Sequence, residues 1–376
     1  MATPGLVLHI RAFLFTGTLF YVDNLPMRKI ADIRALLCLL AFAGSASYAA
    51  GDGQQNMNTV LAPSSVLSGT LFLDAMAVGD ALVAVGERGQ ILLAHTGRTW
   101  QLVTAPVAAT LTAVWFHDDK LGWAAGHDAV ILKTMDGGRH WQQVYSDPGR
   151  NSPILDIWFA DKDYGIAIGA YGLYLVTTNG GRTWVKDELH VVNRDIQDSV
   201  RAAPQATTAA RDGDGPSDLH LNGMAGSGTG KLYIAAEAGH LYRSDDLGRT
   251  WLELPSPYQG SLFGVLPLAQ DSLLVYGLRG HLYRSDDGGQ SWSRIETRIN
   301  ANLTGGTILH DGNIVLTGMG GVVLSSRDGG RTFAARELRY QHDYAAVMET
   351  GTGDVIVAGD HGLENLDRKD IGLAHE

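Results

Sequence analysis

"RSDDGGQSW", Arg284–Trp292, sets two aspartates beside two glycines and ends on a tryptophan, and "RSDDLGRTW", Arg243–Trp251, nearly copies it. Carboxylates in such a setting bind a metal, do chemistry or shape a turn, and the choice has to explain a repeat. Four more stretches align with these two: "LAHTGRTW" (Leu93–Trp100), "TMDGGRHW" (Thr134–Trp141), "TTNGGRTW" (Thr177–Trp184) and "SRDGGRTF" (Ser326–Phe333). Their closing aromatics, Trp100, Trp141, Trp184, Trp251, Trp292 and Phe333, follow one another at 41, 43, 67, 41 and 41 residues. A fixed period near 41 marks a repeat architecture in which each unit is one supersecondary element.

Ahead of each box runs a strand, a Gly-containing turn and a second strand, as in "LVAVGERGQILLAH" (Leu82–His95) and "LYIAAEAGHLYRS" (Leu232–Ser244). A short strand comes earlier ("LTAVWFHD", Leu111–Asp118) and another follows the box ("WQQVYS", Trp141–Ser146), giving four antiparallel strands per unit. A seventh unit, "VIVAGDHGLENLD" (Val355–Asp367), keeps the strands and lacks the box. The pattern predicts an all-β fold, a seven-bladed β-propeller of four-stranded antiparallel blades with Asp-box turns, an arrangement that leaves only short edges. "NTVLAPSS" (Asn58–Ser65) resembles the outer strand "QLVTAP" (Gln101–Pro106) and is expected to close the ring by pairing into blade seven.

The boxes follow S-x-D-x-G-x-T-W, with Asp136, Asn179, Asp246, Asp287 and Asp328 at the acidic place and His95 there in the first copy. A turn uses these residue types directly: the carboxylate accepts backbone N–H groups, glycine supplies positive φ, and the aromatic anchors the hairpin. An EF-type calcium loop needs oxygen ligands at alternate positions over about twelve residues and a closing Glu, and no box has them. The boxes therefore read as structural turns, with no metal and no cofactor.

Forty-seven glycines and 45% hydrophobic residues fit a large β core, and a net charge of −11 offers no footprint for nucleic acid. "MRKIADIR" (Met27–Arg34), "ALLCLLAFAG" (Ala35–Gly44) and "SYA" (Ser47–Ala49) read as the three regions of a signal peptide. Residues 1–26 then form an over-extended start, 27–49 the signal and 50–376 the propeller, with an insertion at 187–218. One long uncleaved signal anchor is the alternative. Removing the first 49 residues takes four basic and two acidic groups and leaves a charge of −13 without Cys38, the only cysteine. The expectation is an exported soluble monomer, peripheral to a membrane at most, in the periplasm or, in a phototroph, the thylakoid lumen.

Through "TMDGGRHW", "TTNGGRTW" and the paired "GHLYRSDD" stretches, the chain from about Ala50 to Asp367 resembles the photosystem II assembly/stability factor family of Asp-box (BNR-like) seven-bladed propellers, which includes relatives in non-photosynthetic bacteria. The resemblance implies a non-catalytic protein that binds a membrane-complex subunit or its precursor during assembly. Asp-box propellers also include sialidases, so a sialidase-like glycoside hydrolase or a carbohydrate-binding propeller is the alternative. Hydrolysis would need two positioned carboxylates or a tyrosine nucleophile. The sialidase "RIP" motif is absent, and Arg98, Arg139, Arg182, Arg249 and Arg331 belong to the boxes.

With strands lettered A to D from the centre outwards, the box is the C–D turn. The B–C loops and D–A connections then share the opposite face, where a partner is expected. Candidate contacts are Glu87, Arg88, His127, Asp128, Tyr171, Glu237, Arg279, Asp360 and His361 on B–C loops, and Arg339, Tyr340 and His342 on the connection into blade seven. The start of the insertion has helical spacing at Val192, Ile196 and Val200, and its tail reads as flexible. "GSGTGK" (Gly226–Lys231) is an A–B hairpin turn, since a phosphate loop needs a following helix.

Overall fold

The alternating repeats fold into seven antiparallel sheets, taken in chain order, in the computed structural model, which describes residues 60–62, 64–95, 99–192 and 219–373. The blades span residues 72–103, 111–145, 154–186, 221–253, 262–295, 303–337 and 344–366. Blade seven has three strands, Tyr344–Glu349, Val355–Gly359 and Gly362–Leu366. Blades one and four each gain a fifth.

The extra strand of blade one corrects the expected ring closure. Val60 pairs with Leu102 and Leu61 with Gln101, antiparallel, so the segment lies beside the strand it resembles and not in blade seven. Ala62 continues the pairing through its N–H to the Trp100 carbonyl at 2.9 Å. Helix α1 (Ser64–Gly69) follows, and its Val66 packs in one cluster with Leu363 of blade seven and with Phe72, Trp100 and Leu102 of blade one. The ring closes through that apolar cluster, in which a helix stands where a fourth strand was expected.

Adjacent blades are stitched at the centre. Each strand A has a register shift between its first and third residues, and polar side chains at the bulge reach the next blade. Asp74 accepts the Val114 amide at 2.9 Å, and Asp156 accepts the Met224 amide at 2.8 Å. Thr112 donates to the Ile154 carbonyl at 2.6 Å, Asn222 to that of Leu262 at 2.9 Å, and Thr304 to that of Tyr344. Between blades five and six the equivalent positions are Gly264 and Gly306. There the Tyr276 ring takes the space, its hydroxyl 2.3 Å from where a Gly264 Cβ would sit.

The boxes stitch the rim. In blade five Ser285 donates to Asp287 at 2.7 Å and accepts the Gly289 amide at 2.8 Å, while Asp287 accepts the amides of Gln290 and Ser291 at 2.9 Å each. Gly288 and Gly289 have φ of +70° and +87°. Asn179 serves the same turn in blade three, accepting the Thr183 amide at 3.0 Å and donating to its hydroxyl at 2.8 Å. An uncharged amide thus does the work of the carboxylate, as a turn permits. The first aspartate of each doublet has another task. Asp286 holds Arg284 at 2.5 Å and Asp245 holds Arg243 at 3.2 Å, and the two guanidinium groups donate to Gly329 and Gly288 in the box of the next blade.

The aromatics were expected to pin their own hairpins; they lie between blades. Trp141 packs with Val83 and Val85 of blade one, Trp184 with Trp123 of blade two, and Trp251 with Ile166 and Tyr174 of blade three. Burying such a ring removes about 150–250 Å² from water, which makes it the main apolar seal of each seam. Blade seven, without a box, is sealed by the tail after its last strand. Ile371 and Leu373 are buried among Val315, Val323 and Val357, Ser325 donates to the Ile371 carbonyl at 2.7 Å, and Arg327 donates to the Gly372 carbonyl at 2.7 Å.

Three outcomes follow from these contacts. A Cβ on Gly126 would lie 2.0 Å from the Thr110 carbonyl oxygen, whereas one on Gly228 would meet nothing within 4 Å. Thermal melts should therefore show Gly126→Ala destabilised by about 2–3 kcal/mol and Gly228→Ala close to wild type. For Asp287, burial alone would raise the carboxyl, but hydrogen bonds from the Ser291 hydroxyl and amide, the Ser285 hydroxyl and the Gln290 amide outweigh it and bring it from 3.8 down to about 2. Its contribution is present above the ordinary carboxylate value and is lost as pH falls towards 2. Asp287→Ala should cost about 1–2 kcal/mol at neutral pH, Asp287→Asn less, and both should flatten the acid limb of the stability curve. A chelator should leave the melting temperature of the wild type unchanged, and a chelator-sensitive melt would restore the metal reading.

Candidate functional site

The face opposite the boxes is built by one local device used in blades one to six. Strand B runs into a three-residue 3-10 turn: 87–89, 127–129, 170–172, 237–239, 278–280 and 319–321. The first residue of each turn donates its amide to the carbonyl just before strand A of the same blade, as His127 does to Thr110 at 2.8 Å and Met319 to Asn302 at 3.0 Å. This close approach explains the glycine ending strand B, since a Cβ on Gly86, Gly126, Gly169, Gly277 or Gly318 would lie within 2.3 Å of that carbonyl oxygen. Blade four has Ala236 there, with φ of −134° in place of the −161° to −179° of the glycines.

The middle residue of each turn is left-handed: Arg88, Asp128, Tyr171, Ala238 and Arg279 at φ +55° to +57°, and Gly320 at +66°. Five of the six carry a side chain where glycine is the low-energy choice, a penalty of about 1 kcal/mol each. Arg88 is 80% exposed and Tyr171 59% exposed; Asp128 and Arg279 are exposed as well. Tyr171 meets the His220 ring edge-on at 4.9 Å.

The other candidates fall into two groups. Glu87 accepts the Leu71 amide at 3.4 Å and Glu237 the His220 amide at 3.3 Å, so both brace a connection. His127 is half-buried, and burial, opposed by Asp128, pushes its imidazole below the ordinary value. The blade-seven residues come together. Tyr340 (72% exposed) stacks near His342 at 5.7 Å, His342 stacks on His361 at 3.9 Å and 15°, and the His342 Nδ1 bonds Glu364. Asp360 accepts the Asp343 amide at 3.0 Å, and Arg339 is exposed beside Tyr340 in sequence. The sequence reading missed Asn302 and Asp343, whose side chains accept the tip amides of Arg279 and Gly320, each at 2.8 Å, from the next blade. Their one signal is a shared register, one residue ahead of strand A.

The stem of the insertion differs from the expected helix. Val191 and Val192 form a strand parallel to Trp251–Leu252 of blade four; Ile196, Val200 and the tail up to 218 lie outside the described residues. The signal segment, 1–49, lies outside them too. "GSGTGK" forms the expected A–B turn, closed by Ser227 N–H to the Lys231 carbonyl at 2.8 Å.

Strands A of all seven blades enclose a channel with a cavity of about 490 Å³, lined by Asp74, Asp156, Met76, Trp115, Tyr276 and Met348 among others. Each aspartate accepts two backbone amides, Asp74 from Ala75 and Val114, Asp156 from Ile157 and Met224. No arginine or lysine is among the described lining residues. Among the described residues no group of three or more His, Cys, Asp and Glu is placed to hold a metal ion, and no helix is long and apolar enough to cross a membrane.

Comparison with known proteins agrees with this architecture. A family model described as photosynthesis system II assembly factor YCF48 matches residues 93–152, and one for the BNR/Asp-box repeat matches residues 283–294. No curated protein matches. Among solved structures, YCF48 bound to D1 peptide is 17% identical with a TM-score of 0.61, over 82% of this chain and 94% of that one. YCF48 from Cyanidioschyzon merolae is 16% identical with a TM-score of 0.60, over 84% and 99%. A streptogramin B lyase is 14% identical with a TM-score of 0.62, over 83% and 97%. At such identities the likeness establishes the ring, which is shared by binders and enzymes. By box, blade and ring, the chain is a seven-bladed Asp-box propeller that resembles the photosystem II assembly-factor propellers.

Proposed function

We propose that this chain is a non-catalytic, protein-binding assembly or stability factor for a membrane protein complex, acting in an exported compartment: the periplasm, or the thylakoid lumen in a phototroph. The observation that carries the reading is the match of the YCF48 family model to residues 93–152, which include the first two Asp-boxes and the D–A connection from blade one to blade two. The structural likeness to YCF48 bound to D1 peptide supports a subunit or precursor of a membrane complex as the class of partner. The loop face suits such a role, because its exposed residues mix both signs of charge with tyrosines, as protein interfaces do.

A sialidase-like reaction is the less favoured reading for a physical reason. That chemistry needs carboxylates free to act on a glycosidic bond and arginines to hold an anionic sugar. The two channel aspartates are instead engaged with backbone amides, and the described channel wall has no arginine. The test is affinity capture by the tagged full chain from gently solubilised membranes of its own host, beside a variant with Arg339→Ala and Tyr340→Ala. One integral membrane protein should be recovered by the wild type, reduced at least about fivefold with the variant, and no glycoside turnover should be seen. Turnover abolished by Asp156→Asn, without recovery of any membrane protein, would overturn the proposal.

A further inference from the structure

The two faces of the ring meet the same backbone demand in different ways. Among the described residues eleven non-glycine residues have positive φ, and only Leu247 and Gln270 of these lie on the box face, so nine lie on the loop face. The box face otherwise fills its left-handed positions with glycine, as at Gly137, Gly180, Gly288 and Gly329. At the loop tips glycine would also be the relaxed choice, yet blade six alone has it. Packing accounts for little of the tip side chains: a Cβ on Gly320 would meet nothing within 4 Å, Arg88 stands 80% exposed on the same conformation, and Tyr171, which meets the His220 ring edge-on, is still 59% exposed. Strain retained at exposed positions around a rim, and avoided on the opposite rim, points to side chains kept for what they touch outside the chain.

We infer that the left-handed tips Arg88, Asp128, Tyr171 and Arg279 are the contact points for the partner, and that the partner presents one folded protein surface spanning several blades. This rests on the protein-binding reading above and names its residues. The chemistry selects the occupant. Around the ring the tips run positive, negative, aromatic, small, positive and glycine, so a uniformly anionic surface such as a lipid headgroup layer or a nucleic acid would be opposed at Asp128. The four tips belong to blades one, two, three and five, so a single partner that meets all of them has to cover more than half of the ring.

Two measurements on the full chain test the inference. The first is the melting temperature of a variant with Arg88→Gly, Asp128→Gly, Tyr171→Gly and Arg279→Gly. Relief of strain at exposed tips should leave it unchanged or higher, and a clear fall would show that the side chains serve the fold, which overturns the inference. The second is site-specific photo-crosslinking in host membranes with a benzophenone amino acid placed at 88, 128, 171 or 279, and at Lys120 or Lys162 of the box face as controls. All four tips should join the same membrane protein, identified by mass spectrometry, the controls should not, and glycine at the other three tips should lower each yield at least about fivefold. Crosslinks from the box face alone would sink the tip assignment and leave protein binding standing. Crosslinks from neither face would sink both.

Discussion

The ring stands on the contact that each box makes with the blade before it. A propeller blade is a small twisted sheet with two apolar faces, and it is stable only when neighbours cover both. Trp141, Trp184 and Trp251 fill the gaps behind their own blades, while Lys133, Arg243 and Arg284 reach forward to the box carbonyls of Gly180, Gly288 and Gly329. The serine or threonine with its Asp or Asn fixes the turn that brings both contacts into place. Local hydrogen-bond chemistry in eight residues therefore sets a long-range packing event. The twin aspartates of "RSDDGGQSW" divide that labour, Asp287 shaping the turn and Asp286 steering the cation that joins two blades.

Closure is where the repeat breaks, and the chain solves it with non-repeating parts. Trp100 of blade one faces Ala346, Ala358 and Leu363 of blade seven, with Val66 of helix α1 in the same cluster. At the other seam of blade seven, Ile371 and Leu373 replace the missing aromatic, and Gly372, at φ +76°, offers the carbonyl that a box glycine offers elsewhere. Arg368 holds this tail by pairing with the buried Glu349 and with Asp311. Helix α1 thus packs at one seam of blade seven and the tail at the other, and the ring closes without exchanging a strand.

Blade number, box boundaries and the assignment of residues to the loop face were legible in the sequence, because spacing near 41 fixes all three at once. Closure was not. Val60–Leu61 is two residues long, and any free antiparallel edge satisfies so short a strand; the likeness to Gln101–Val103 named its neighbour without revealing it. The substitute box was hidden because Ile371 and Leu373 share neither spacing nor residue type with the aromatics they replace. The strained tips were hidden for another reason: Arg88, Asp128, Tyr171, Ala238 and Arg279 have no side-chain chemistry in common, and only the backbone shows that they are equivalent. The bracing roles of Glu87 and Glu237 were equally invisible, since a glutamate at a loop looks the same whether it faces solvent or a backbone amide.

A propeller has two faces, and here they differ at one turn position: the box turns have glycine there at Gly137, Gly180, Gly288 and Gly329, while the middle of the loop turn carries a side chain in five of six blades. The most direct measurement of the functional claim is amide hydrogen exchange of the full chain, alone and in complex with the membrane protein it captures. Protection should fall on the loop tips at 87–89, 127–129, 170–172 and 278–280, with the box turns at 135–140 and 286–291 unchanged. Protection confined to the box turns, with the loop tips exchanging as in the isolated chain, would contradict the claim.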